Sequence, residues 1–158
     1  MPRTLIAGFG NVLRGDDGFG IVVLDRLTAR GVPPDVELLE VGTGGLQLAQ
    51  ALLDPFDRVI VVDAMTQGGA AGTLYVQRVE SVEAAREVDL HLAVPAAALA
   101  VAQALGALPR EVFLVGCEPA EVDELHIGLS SAVLAAVDPA IAACDFLLAA
   151  PSAVGATT

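Results

Sequence analysis

Two acidic residues, Asp17 and Asp63, each lie just beyond an apolar stretch of the sequence that is typical of a β-strand. Histidine is scarce, and His91 is one of only two in 158 residues. Two carboxylates and one imidazole are a plausible ligand set for zinc or nickel that leaves coordination positions open. Such a metal can activate a bound water or polarise a carbonyl for hydrolysis. Each aspartate could equally end a strand or cap a helix, so the set becomes a site only if the fold brings it together.

Other catalytic arrangements match the sequence less well. There is no His-Glu-x-x-His motif and no Gly-x-Ser-x-Gly elbow. Gly8 and Gly10 follow a predicted strand, as in a dinucleotide-binding loop, and Glu40 could be its ribose-binding acid. However, Leu13 stands where the third glycine belongs, and two aspartates at the start of the next helix would repel a pyrophosphate. A nucleophilic Cys117 beside a histidine remains open, although no local motif favours it.

Several polar residues near these candidates are predicted to be structural. Asp16 is expected to cap a helix or brace its loop, and His126 to brace the loop that leads into the last helix. The two cysteines, Cys117 and Cys144, have no metal-ligand spacing. We expect two reduced thiols that are buried or half-buried.

The elements that must position these residues alternate between strand and helix. Strands are predicted at 3–8, 36–41, 58–63, 73–79 and 111–116, and helices at 18–30, 45–53, 95–105 and 130–150, the last capped by Ser130. This alternation predicts an α/β fold with helices on both faces of a mostly parallel sheet. The link from Asp63 to Thr73 is too short for a helical crossover, so strand 73–79 is expected to be antiparallel.

The same pattern indicates where a site would form. Sites in open α/β sheets lie beyond the carboxyl ends of the strands, where the strand order reverses. The loops that carry Asp17 and Asp63 should both reach that edge, and the segment 89–91 is a third candidate for it.

Composition restricts the partners and the location. The chain has 8 basic residues, all arginine, against 20 acidic ones, a net charge of −12. Such a surface repels phosphate backbones and anionic lipids, which disfavours nucleic acid and membranes as partners. No uncharged apolar run reaches the length of a membrane span, and no signal-peptide pattern is present, so a cytoplasmic protein is expected. We predict one domain over residues 1–150 and a disordered tail at 151–158.

Five motifs occur in order along the chain. They are GFGNVLRGDDGFG at 8–20, GTGG at 42–45, VVDA at 61–64 with GTL at 72–74, LH at 90–91, and VGCEP at 115–119 with HIGLS at 126–130. Together they resemble the hydrogenase maturation endopeptidases over residues 3–150. Any one motif would be moderate support, but five in the family's order are strong support.

The resemblance implies an endopeptidase that removes the C-terminal extension of a nickel-iron hydrogenase large-subunit precursor after nickel insertion. It also implies a three-layer α/β sandwich, with a five-stranded, mostly parallel sheet that contains one antiparallel strand. Asp17, Asp63 and His91 match the family's metal-contacting residues, so they are the expected catalytic and nickel-binding residues. The substrate is expected to supply the nickel. The loop of Gly42, Thr43 and Gly44 is expected to bind substrate, because small residues let a peptide backbone approach closely.

The sequence departs from the family at two of these positions. Many relatives carry glutamate where Asp17 stands, and the residues around His91 match only loosely. Either aspartate could act as general base, so the peptidase could be metal-dependent or of the aspartic type. The alternatives are a non-catalytic nickel-sensing assembly factor and a related α/β peptidase with another substrate. A monomer is expected.

Overall fold

A computed structural model describes residues 2–80, 93–120 and 125–151 of the chain. The strands are β1 (Thr4–Phe9), β2 (Val36–Gly42), β3 (Arg58–Ala64), β4 (Leu74–Arg78) and β5 (Glu111–Cys117). The helices are α1 (Phe19–Arg30), α2 (Leu46–Ala51), α3 (Ala93–Ala104), α4 (Ser131–Ala135) and α5 (Val137–Ala149), with a 3-10 turn at Gly15–Gly18. The predicted tail lies outside the described residues except for Pro151, and the extent of the domain stays a prediction.

The strands form one sheet in the order β2-β1-β3-β5-β4. All pairs are parallel except β4 with β5, which is antiparallel. β4 follows β3 through a loop too short for a helical crossover, so it can join the sheet only in the reverse direction. The prediction of an α/β sandwich with one antiparallel strand is confirmed.

The helices cover both faces of the sheet, which explains the unbroken apolar run in β3. Val59 and Val61 belong to the core cluster that contains residues of α2 and α3. Ile60 and Val62 belong to the cluster on the other face, with residues of α1, α4 and α5. A central parallel strand is buried on both faces, so β-branched residues occupy each position from Val59 to Val62 instead of alternating with polar ones.

The last predicted helix differs from the structure. Instead of one helix over 130–150, α4 and α5 are separated at Ala136. Pro139 has no N–H to donate to the carbonyl of Ala135, so the hydrogen-bond ladder of α4 cannot continue into α5. Ser130 stands at the N-cap position of α4, but its side chain makes no capping hydrogen bond. Its hydroxyl donates instead to Asp16.

The segment Ser131–Ala149 is long and apolar enough to cross a membrane, by length and composition alone, with a mean hydropathy of 1.9. In the fold its inward residues, such as Val137 and Cys144, belong to the core. On its outward side, Asp145 pairs with Arg30 of α1 at 2.8 Å. One side of the segment therefore packs against the core, and 33% of the segment is buried.

Candidate active site

The strand order creates a crevice at the carboxyl edge of the sheet. The chain leaves β1 through α1 toward β2 on one side, whereas it leaves β3 toward β4 and β5 on the other. The loops that follow β1 and β3 therefore diverge, and the carboxyl ends of these neighbouring strands border the point where ligands bind in open α/β sheets.

Asp17 lies in the 3-10 turn that follows β1, and this turn packs against β3. Its half-buried carboxylate accepts a hydrogen bond from the Asn11 N–H at 3.0 Å, which closes the loop on itself. Gly10 has a φ of 136°, and a Cβ there would lie 1.9 Å from the Asp17 carbonyl oxygen. Only glycine therefore fits this loop, and its tight closure fixes Asp17 beside the end of β3.

Asp63 is the penultimate residue of β3, opposite Gly116 of β5. It is only 7% exposed, and its Oδ1 accepts a hydrogen bond from the Ala64 N–H at 2.8 Å. By strand alternation it shares the face of Val61, on the side of α2 and α3. Asp17 and Asp63 thus reach the same edge from adjacent parallel strands, where the sequence predicted them.

His91, the third candidate, lies outside the described residues, in the segment 81–92 that connects β4 to α3. Among residues 2–80, 93–120 and 125–151, no group of three or more His, Cys, Asp or Glu side chains could hold a metal ion. The three-residue nickel site therefore stays a prediction, and its described part consists of the two carboxylates.

Asp16 is buried and braces its loop, as the sequence predicted. Its carboxylate accepts hydrogen bonds from the Ala120 N–H at 2.8 Å, the Ser130 N–H at 2.7 Å and the Ser130 hydroxyl at 2.8 Å. These bonds tie the turn that carries Asp17 to the loop after β5 and to the start of α4. Asp16 thereby holds the position of its neighbour.

His126 joins the same two loops through its main chain. Its carbonyl accepts from the Gly15 N–H at 2.7 Å, and its N–H donates to the Leu13 carbonyl at 2.9 Å. The residue itself is exposed. The predicted bracing role is confirmed, although the main chain performs it and any residue type could make these two bonds.

Glu118, directly after β5, is a buried carboxylate that the sequence reasoning did not single out. It is 4% exposed, and its Oε1 accepts from the Gln67 N–H at 2.8 Å, the Gly69 N–H at 2.9 Å and the Tyr75 hydroxyl at 2.7 Å. Burial alone would raise the pKa of Glu118, but these donors outweigh it and hold the pKa below its ordinary value. Its place directly after a buried strand was the available signal, since Asp17 and Asp63 also lie near the carboxyl ends of strands.

Both cysteines are free and buried, as predicted. Burial, together with the negative charges of Asp16 and Glu118, raises the pKa of Cys117 to about 12. Burial likewise raises the pKa of Cys144 to about 12. At neutral pH Cys117 is therefore a protonated thiol, which argues against the cysteine-nucleophile alternative because the thiolate is the reactive form.

The predicted substrate-binding loop, Gly42, Thr43 and Gly44, lies between two grooves. A groove of about 380 Å³ runs along the loop after β1, and an apolar groove of about 490 Å³ lies between α2 and α3. Thr43 lines both grooves. Gly42 has a φ of 69°, a conformation that favours glycine. Among the described residues, the lining of these two grooves does not include Asp17 or Asp63.

Glu40, the candidate ribose-binding acid, has a different environment. Its carboxyl shares a hydrogen bond with Asp25 of α1, and this contact, burial and the charge of Asp25 raise the pKa of Glu40 to about 6. A carboxyl that already shares a proton with a second acid is less able to accept a hydrogen bond from a ribose hydroxyl.

The chain is similar in sequence to known hydrogenase maturation proteins. A family model described as hydrogenase maturation protease matches residues 21–144. Hydrogenase expression/formation protein HupM of Azotobacter chroococcum mcd 1 is 40% identical over 145 residues, which are 89% of this chain and 69% of that protein. Hydrogenase 2 maturation protease of Escherichia coli strain K12 is 34% identical over 143 residues, 88% of this chain and 86% of that protein.

The fold is also similar to a solved structure of hydrogenase maturating endopeptidase HybD from E. coli. The TM-score is 0.82 at 32% sequence identity, and the similarity covers 92% of this chain and 91% of that one. The relatives and the solved structure match nearly the whole chain. The chain belongs to the hydrogenase maturation protease family.

Proposed function

We propose that this protein is an endopeptidase that removes the C-terminal extension from the large-subunit precursor of a nickel-iron hydrogenase once nickel has been inserted. Family membership supports a hydrogenase precursor as the substrate. The observation that carries the proposal is the placement of Asp17 and Asp63 at the carboxyl ends of adjacent parallel strands. At such a switch point two carboxylates can act together on one bound group.

In this proposal nickel belongs to the substrate, and the precursor brings it to the carboxylates. Carboxylate oxygens and an imidazole can ligate nickel, so the donor set of Asp17, Asp63 and His91 fits this metal. Asp17 is half-buried, and its Oδ2 accepts a hydrogen bond from the Asn11 N–H; within the described part of the chain its Oδ1 has no donor and could take a ligand. His91 enters the proposal through the family motif alone, since it lies outside the described residues.

Hydrolysis of the peptide requires a base and a positioned carbonyl. The metal would polarise the scissile carbonyl or a water molecule. One of the two aspartates would take the proton of the attacking water as the oxygen bonds to the carbonyl carbon. That proton would then pass to the leaving nitrogen as the C–N bond breaks. The loop of Gly42, Thr43 and Gly44 would hold the peptide backbone nearby.

The test is cleavage of purified nickel-loaded precursor, followed by mass spectrometry of the large subunit. We expect Asp17→Asn, Asp63→Asn and His91→Ala each to slow cleavage at least about 100-fold, the range for loss of a general acid or base. Asp138→Asn is the matched control, because this acidic side chain is 83% exposed and lies on the far helix α5. Full activity in the three site variants would overturn the assignment. Precursor that is bound but never shortened would favour the nickel-sensing alternative.

A further inference from the structure

We propose that Glu118 is a positioning residue for cleavage of the precursor, because it orders the loop between β3 and β4 beside Asp63. The inference rests on the proposed endopeptidase function. Residue 118 holds this loop at several points, through both its side chain and its main chain.

The side chain holds the first half of the loop. One carboxylate oxygen, Oε1, accepts from the main-chain N–H groups of Gln67 and Gly69 and from the Tyr75 hydroxyl, at 2.7–2.9 Å. A Cβ on Gly69 would lie 2.4 Å from the Tyr75 hydroxyl, so a larger residue at this position would clash with that hydroxyl. The carboxylate thus supplies an acceptor for two main-chain N–H groups of the loop.

The main chain of the same region holds both ends of the loop. The Gly72 N–H donates to the Glu118 carbonyl at 2.8 Å, and the Glu118 N–H donates to the Thr73 carbonyl at 2.8 Å. At the start of the loop, the Met65 N–H donates to the Cys117 carbonyl at 2.9 Å. These bonds extend the pairing of β5 with β3 and β4, whereas the middle of the loop depends on the Glu118 side chain.

The composition and exposure of the middle of the loop disfavour a single conformation. Residues 66–71 are exposed, and the stretch 68–72 is Gly-Gly-Ala-Ala-Gly. Glycine loses more conformational entropy on ordering than any other residue, and alanine offers almost no surface to pack. The loop also has local bonds: the Thr73 N–H and hydroxyl donate to the Ala70 carbonyl, and the Gln67 side chain donates to the Met65 sulfur.

The location of the loop gives its order a consequence for the substrate. It leaves the sheet two residues after Asp63, at the edge where Asp17 also lies. The exposed segment lies at the same edge of the sheet as Asp63, so we expect a peptide bound at Asp63 to contact it. If the loop is ordered in advance, binding of the precursor does not have to supply that ordering free energy. Loss of the Glu118 carboxylate should therefore weaken precursor binding more than it slows the chemical step.

The experiment compares Glu118→Ala, Glu118→Gln and Glu111→Gln with the unaltered full-length protein on nickel-loaded precursor. Glu111 is the matched control, since it is an equally buried glutamate at the opposite end of the same strand. We expect Glu118→Ala to raise KM on the order of tenfold with kcat within about twofold, the size expected for lost bonds to a charged acceptor. The amide of Gly69 should exchange its hydrogen faster in this variant. Glu118→Gln keeps an acceptor oxygen and should restore most of the affinity.

Several results would overturn the role of Glu118: an unchanged KM in Glu118→Ala, failure of Glu118→Gln to rescue, or an equal rise in KM in Glu111→Gln, which would indicate general destabilisation. Absence of cleavage by the unaltered protein would overturn the endopeptidase function instead. The affinity for the precursor and the amide exchange of the loop would then decide the role of Glu118 on their own. If Glu118→Ala fails to fold, Glu118→Met, which keeps a side chain of similar length without a carboxyl oxygen, takes its place in the comparison with Glu118→Gln and Glu111→Gln.

Discussion

The two edges of the sheet bury charged groups in different ways. At the amino-terminal edge, Arg58 of β3 and Glu111 of β5 are directly opposite and form an ion pair at 3.1 Å, with side chains only 0% and 4% exposed. At the carboxyl edge, Asp63 occupies the other end of β3. There the buried carboxylates of Asp16 and Glu118 accept hydrogen bonds from main-chain N–H groups and hydroxyls.

The ion pair of Arg58 and Glu111 has a structural role at the amino-terminal edge. The Arg58 guanidinium also donates hydrogen bonds to the carbonyls of Leu147 and Ala150, so it anchors the C-terminal end of α5 to β3. Charge is balanced at that edge within the protein. At the other edge, the main-chain N–H groups and the hydroxyl that stabilise Glu118 carry dipoles but no net charge.

The strongest test of the structural edge is removal of the buried cation. Arg58→Ala leaves Glu111 buried without its main partner, a change that typically costs about 3–5 kcal/mol of the free energy of unfolding. Arg78 lies 3.9 Å from the other Glu111 oxygen and can offset part of the loss, so we expect the lower end of that range. Urea unfolding monitored by circular dichroism measures it.

The double variant Arg58→Met, Glu111→Leu is the control, because replacing both charges with apolar groups removes the uncompensated carboxylate and is often close to neutral. If Arg58→Ala alone changes the free energy of unfolding by less than about 1 kcal/mol, the ion pair is not what holds this edge.

At the carboxyl edge, the largest expected effect is on activity. Asp17→Asn should lower kcat/KM at least about 100-fold, which corresponds to about 2.7 kcal/mol of transition-state stabilisation. Its stability should change little, because the asparagine oxygen can still accept from the Asn11 N–H. Precursor cleavage and urea unfolding of the same preparation test both statements. A variant that unfolds more easily but cuts normally would make Asp17 a structural residue like Arg58.

Asp16 is the intermediate case, a structural carboxylate at the functional edge. Asp16→Ala leaves the Ala120 N–H and the Ser130 N–H without their acceptor, so we expect a loss of about 1–3 kcal/mol in the free energy of unfolding. Ser130→Ala removes only the hydroxyl donor and should cost less. Thermal or urea unfolding of the two variants gives the order, and equal losses would contradict the bracing role of the carboxylate.

The smallest expected effect is a pH dependence of stability that arises from Glu40, which lines the groove along the loop after β1. The pKa of Glu40 is raised to about 6 through its hydrogen bond with Asp25, whereas a glutamate in the unfolded chain titrates near about 4.3. The folded state therefore holds this proton more tightly, and its stabilising contribution is lost as the pH rises from about 4.3 through about 6. Glu40→Gln should lack this decline, so its stability relative to the unaltered protein should increase over that interval. Urea midpoints at a series of pH values test this, and parallel profiles would exclude it.

Much of the fold was predictable because it follows from local patterns. The run Val59–Val62 and the loop between β3 and β4 predicted a buried parallel strand followed by an antiparallel one, and both are present. The 3-10 turn at Gly15–Gly18 was not predicted, because its hydrogen bonds to Ala120 and Ser130 come from far along the chain. The break at Ala136 was missed although its cause, Pro139, is local, because the apolar pattern continues across it.

The sequence by itself determined the family, the order of the strands and helices, and the loops that hold Asp17 and Asp63, since motifs and hydrophobic periodicity are properties of neighbouring residues. Only the tertiary structure decided which carboxylates serve which purpose. Asp16 and Asp17 are adjacent in the chain, yet one is buried under donors from residues more than 100 positions away and the other is half-buried at the crevice. Glu118 acquired its role in the same way, because the groups that surround a carboxylate determine its function, and distant segments supply those groups.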